Sequence, residues 1–158
     1  MSIELCEEEK RMYLVIMAGG GYRVLYNLYR DGDEEVRERI VTAMGGYMRE
    51  LEPVMDAYGL TRDPEGVATA MMLTEDLIGC EPAGKLLSVT PDEVVRKVTS
   101  CPWSYAFSDD GGTCRLVMAA MQEGIGNEYG LEISCEQTLA EGAEHCIWKV
   151  RKSSRGVQ

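Results

Sequence analysis

Leu131-Glu132-Ile133-Ser134-Cys135-Glu136 and Cys146-Ile147-Trp148-Lys149-Val150-Arg151 decide how this chain folds. Each alternates apolar and polar residues with period two, the pattern of a strand that buries one face and wets the other. Leu131, Ile133 and Cys135 share one side of the first; Cys146, Trp148 and Val150 share one side of the second. Paired as a terminal hairpin, they place both cysteines inward near its turn. Upstream, Lys85 to Thr90 and Val94 to Cys101 are rich in β-branched residues, with Thr90-Pro91-Asp92-Glu93 as turn chemistry between them. A first hairpin is expected there.

The remaining sequence reads as helix. Tyr13 to Ile16 and Tyr22 to Leu28 are apolar and aromatic at helical spacing, with Gly19-Gly20-Gly21 as a break between them. Asp33 caps a helix whose Glu34-Glu35 suits the positive end of the helix dipole. Its stripe runs Val36, Ile40, Ala43, Met44, Tyr47, Met48 and Leu51; Pro53 kinks it and Gly59 ends it. Asp63-Pro64-Glu65 starts a helix through Val67, Ala70, Met71, Thr74 and Leu77 that stops at Gly79. Asp109-Asp110-Gly111-Gly112 opens another, with Cys114, Val117, Met118, Met121 and Ile125 on one face and Gly124 and Gly126 closing it. Helices before strand pairs predict an α+β domain over residues 1–152, ordered ααα-ββ-α-ββ. Its N-terminal helical layer packs on a four-stranded antiparallel sheet, and a polar tail occupies 153–158.

At 158 residues the chain is long enough to bury a core without disulfide staples. The formal net charge of −11 argues against nucleic acid as a partner, because the phosphate backbone would be repelled. The start, Met1-Ser2-Ile3-Glu4-Leu5-Cys6-Glu7-Glu8-Glu9, is acidic where a secretory signal needs basic residues. The apolar run from Met12 to Ala18 is too short to span a bilayer, so no membrane role is expected. The expectation is a cytoplasmic location, where the six cysteines stay reduced as core thiols, metal ligands or a catalytic thiol. A homodimer is compatible with the sequence.

Four of those thiols, Cys101, Cys114, Cys135 and Cys146, fall in the last third of the chain. Cys114 lies on the helix face that packs on the sheet, so it can approach Cys135 and Cys146 from above. Three sulfurs near one point would suit zinc, with Cys101, His145, Glu132 or a water as the fourth ligand. Successive separations of 13, 21 and 11 residues match no compact ligand pair, and on spacing alone ordinary core thiols are the better reading. Trp103 and Tyr105 beside Cys101, with Met118, Met121 and Trp148, are candidates to wall a pocket for a small apolar ligand.

Thr99-Ser100-Cys101-Pro102-Trp103, the helical Cys114, and Thr138-Leu139-Ala140-Glu141-Gly142-Ala143-Glu144-His145-Cys146-Ile147-Trp148 resemble the L-2-amino-thiazoline-4-carboxylic acid hydrolase family. The ending is also similar to that of the 4-vinyl reductase small-molecule-binding domain. The likeness covers roughly residues 84–151. It implies a helical layer on an antiparallel sheet with a ligand cavity between them. In some phenol sensors with the 4-vinyl reductase domain, a helix cysteine and a Glu, Cys and Cys of the ending bind zinc. Carried over, the helix cysteine is Cys114 and the last is Cys146, while Cys135 stands at the Glu position and Thr138 at the middle Cys. The implied metal set is therefore Cys114, Cys135 and Cys146, which suits zinc or an iron–sulfur cluster alike.

Two functions are expected on these grounds. One is a hydrolase-like protein opening a thiazoline or amide-like ring, with Cys101 or Cys114 as catalytic thiol or with a metal-bound water. The other is a non-enzymatic ligand-binding or sensor module with a structural metal clip. Both handle a small molecule.

Overall fold

The computed structural model describes residues 6–77, 84–101, 103 and 111–154. Helix α1 spans Glu7–Asp31 as one rod, running straight through Gly19, Gly20 and Gly21 where a break was expected. Each glycine costs about 1 kcal/mol relative to alanine in a helix, but its N–H still donates and nothing blocks the ladder. An inner stripe of Val15, Tyr22, Tyr26 and Tyr29, half-buried around the buried Gly19, holds the rod to the rest of the protein.

Helix α2, Glu34–Met48, begins as expected: the Asp33 carboxylate accepts from the Val36 N–H at 3.0 Å. Pro53 does more than kink the helix. Lacking an N–H, it cannot bond the Arg49 carbonyl, and its ring crowds that carbonyl. The helix therefore breaks at Arg49-Glu50, with tighter bonds from Glu50 N to Tyr47 O and Glu52 N to Arg49 O, and restarts as α3, Leu51–Ala57. Gly59, at φ +63°, ends α3 as expected. Helix α4, Pro64–Leu77, is capped by Asp63, which accepts from Gly66 N at 2.9 Å; its expected stop at Gly79 lies outside the described residues.

Strands β1 (Gly84–Val89) and β2 (Glu93–Val98) form the first hairpin, closed by Thr90 and Glu93 bonding each other at 2.9 Å. β2 stops at Val98, so Cys101 lies in the loop beyond it and not on the strand. After helix α5, Gly112–Met121, come β3 (Leu131–Gln137) and β4 (Cys146–Lys152). The sheet is antiparallel in the order β1-β2-β4-β3, so the α+β architecture is the one expected from the sequence, with four helices before the first hairpin.

Gly124 and Gly126 do not close α5. The helix widens into a π turn over Gln122–Gly126, adds a last α turn, Asn127–Tyr129, and stops at Gly130, whose φ is +65°. Gly124 is there for closeness: a Cβ on it would overlap the carbonyl oxygen of Gly45 on α2. At the head of the same turn, the Gln122 amide donates to Leu131 O at 3.0 Å and accepts from Ile133 N at 2.8 Å.

Val94, Leu131, Ile133 and Val150 point inward and meet Val67 and Met71 of α4 and Leu116, Ala120 and Met121 of α5, while Val98 packs with Cys146. The opposite sheet face is polar, tied by Arg151 to Glu132 at 2.8 Å and by Lys149 to Glu136. Ser153, expected in the polar tail, is anchored through its N–H to Gly130 O at 2.8 Å. Among the described residues, no helix is long and apolar enough to cross a membrane.

Candidate functional site

The alternation of β3 and β4 puts Cys135 and Cys146 on the inward face, as expected. Cys135 lies opposite Trp148, and Cys146 lies opposite Val98 on the other neighbour, β2. A register shift between Cys135 and Gln137 lets the end of β3 bend over Cys146. A 3-10 turn over Leu139–Glu141 comes next, started by Thr138, whose Oγ1 accepts from Glu141 N at 3.1 Å. That turn presents the Leu139 N–H to the Cys146 sulfur at 3.2 Å.

The Cys135 thiol stands between two acceptors, the Gln137 carbonyl at 3.0 Å and the Cys146 sulfur. The bond from Cys135 is the main reason the Cys146 thiol is lowered from about 9 to about 7; the Leu139 N–H and the positive charge of Arg96 add to it. The same bond raises Cys135, with burial adding to the rise. Proton and negative charge are thus divided between two adjacent sulfurs, and Cys146 carries the charge near neutral pH.

Cys114 packs in a separate cluster with Cys101, Trp103, Tyr22 and Ala140. Burial, first of all, pushes both thiols up to about 12, so at neutral pH Cys101 and Cys114 are protonated. Tyr22 meets Trp103 edge-on, ring centres 5.8 Å apart. Trp148 is half-buried against Cys146, Met118 is half-buried on α5, Met121 belongs to the main core, and Tyr105 lies outside the described residues. A groove of about 590 Å³ lies between α1 and α2; its walls include Tyr22 but none of Trp103, Met118, Met121 or Trp148.

Among the described residues, no three His, Cys, Asp or Glu side chains are gathered closely enough to hold a metal ion. Cys135 and Cys146 pack in one cluster and Cys114 in another, with Cys114 still within electrostatic reach of both.

Two groups of the site carry no signal in the sequence. Arg96 on β2 points inward between Val94 and Val98 and is fully buried. Its Nη2 bonds both oxygens of Glu75 on α4, at 2.7 and 2.5 Å, while Nε and Nη1 have no hydrogen-bond partner among the described residues. The second is the Leu139 N–H, a backbone donor that no residue type announces. No protein-family model matches this chain, and no curated protein matches it either.

Proposed function

We propose that this protein handles a small electrophilic molecule and that its reactive group is the Cys146 thiolate, a hydrolase-like role consistent with opening a thiazoline or amide-like ring. Supporting this reading is one observation above all: Cys146 is held ready to ionise by the Cys135 thiol and the Leu139 N–H, with a buried guanidinium nearby. Thiolate sulfur attacks an sp² carbon, forming the S–C bond while the π pair moves onto the ring nitrogen or oxygen. The pair then returns to restore the π bond, the ring bond from that carbon to its other heteroatom breaks, and the Cys135 S–H supplies the proton for the departing heteroatom. Water then adds to the sp² carbon of the resulting S-linked intermediate, returning a proton to the Cys135 sulfur, and the S–C bond breaks to release Cys146 as thiolate. Cys101 and Cys114, protonated and buried, serve as apolar wall beside Trp103 in this scheme.

Alkylation by iodoacetamide from pH 5 to 10, read residue by residue by mass spectrometry, tests it. Cys146 reacts first, with a midpoint near 7, and Cys135→Ser moves the midpoint toward 9. A Cys146 no faster than Cys101 or Cys114 would sink the proposal. Turnover of a 2-amino-thiazoline-4-carboxylate that survives in Cys146→Ser would remove Cys146 from the chemistry.

A further inference from the structure

Helix α1 carries a second stripe that stands exposed among the described residues. Tyr13, Met17, Gly20, Val24 and Leu28 recur at intervals of four, three, four and four, the seam spacing of paired helices, on the side away from the inner stripe. They face water: Tyr13 is 54% exposed, Met17 73%, Val24 60% and Leu28 56%. Met12, Leu14 and Ile16 flank the seam and are exposed too. The apolar groove between α1 and α2, walled by Leu25, Leu28, Ile40, Met44 and Tyr47, opens along the same flank.

We propose that a second copy of this chain covers that face, the two α1 helices lying antiparallel across a two-fold axis near Gly20. Area is the first argument. The exposed apolar side chains of the seam and of the groove on α2 present several hundred Å² per chain, approaching the roughly 800 Å² that each partner of a stable complex gives up. Charge is the second. The chain carries −11, yet Met12 to Tyr29 contains a single charged residue, Arg23, and no acid. Two copies therefore meet there with the least repulsion, and antiparallel alignment sets the dipole of each helix against the other.

Self-complementarity is the third. Stripe and groove lie side by side, so the stripe of one copy can fill the groove of the other and the reverse holds by symmetry. Gly20 has open space around it, which lets the two backbones approach at the axis. An anionic bilayer is disfavoured by the acidic first turn, Glu7, Glu8 and Glu9, and by the net charge. The proposal stands independently of the thiol chemistry.

Sedimentation equilibrium of the full chain tests it. The expected mass at micromolar concentration is twice 17.6 kDa, with several-fold tighter association as salt rises and screens the like charges. Met17→Glu with Val24→Glu gives a monomer of unchanged circular dichroism. As a second readout, Gly20→Cys in a Cys6→Ser background forms a disulfide-linked dimer under mild oxidation. A monomeric wild type at about 100 μM, or a dimer that survives the double substitution and yields no Gly20→Cys cross-link, overturns the proposal. So does a monomer that floats with phospholipid vesicles.

Discussion

Arg96 and Glu75 form an ion pair between the middle of the sheet and α4, with the guanidinium wholly buried and the carboxylate about one-fifth exposed. Removing the carboxylate would strand a buried charge that already has two nitrogens without a partner among the described residues. Breaking such a pair costs roughly 3–5 kcal/mol, and the partial exposure of Glu75 places Glu75→Ala near the lower bound. Replacing both, as Arg96→Met with Glu75→Leu, recovers most of the loss. Urea midpoints of the single and double variants check this. Arg96→Met alone raises the alkylation midpoint of Cys146, because a nearby positive charge is gone, and the double variant raises it less, because Glu75 opposed that charge.

The thiols give stability a two-sided pH dependence. Between about pH 7 and 9 the folded protein has released the Cys146 proton while the unfolded chain still holds it, so stability rises with pH. Between about 9 and 12 the unfolded chain releases the protons of Cys101 and Cys114 while the fold retains them, so stability falls. Urea unfolding under reducing conditions shows a rise below pH 9 that Cys146→Ser flattens. The fall above pH 9 is reduced in Cys101→Ala with Cys114→Ala.

Two glycines on the α2 side respond oppositely to a methyl group. At Gly124 it overlaps the Gly45 carbonyl oxygen, and α2 must move. Gly124→Ala costs about 1–3 kcal/mol or more, as overpacking does. At Gly46 a methyl meets nothing within 4 Å, and Gly46→Ala gains about 0.5–1 kcal/mol from helix propensity. Thermal unfolding of the two variants moves in opposite directions.

What the sequence made legible was periodicity. The alternation in β3 and β4 fixed the inward faces, and Asp33 and Asp63 marked two helix starts through their side-chain caps. Glycine misleads twice, at Gly19-Gly20-Gly21 and at Gly124, because a helix tolerates glycine and close packing sometimes demands it. Arg96 stayed hidden for a different reason. Val94-Arg96-Val98 and Val95-Lys97-Thr99 each carry one basic residue, so composition could not say which face of β2 was inward; register with β4 and contact with α4 decide it. The division between Cys146 and the other thiols was equally out of reach, since it depends on a backbone N–H and on which sulfur donates to which.

The amide of Gln122 offers β3 one donor and one acceptor, spaced to satisfy Leu131 O and Ile133 N. It thereby counterfeits a neighbouring strand at the margin of the sheet. A strand from another molecule would have to evict it before adding itself there. On the far margin, the irregularity between Leu86 and Ser88 disturbs the regular row that a newcomer would copy. The sheet is thus guarded against lateral polymerisation at both sides, and crowding this protein with copies of itself directs contact toward its helices and away from the cross-β route to fibres.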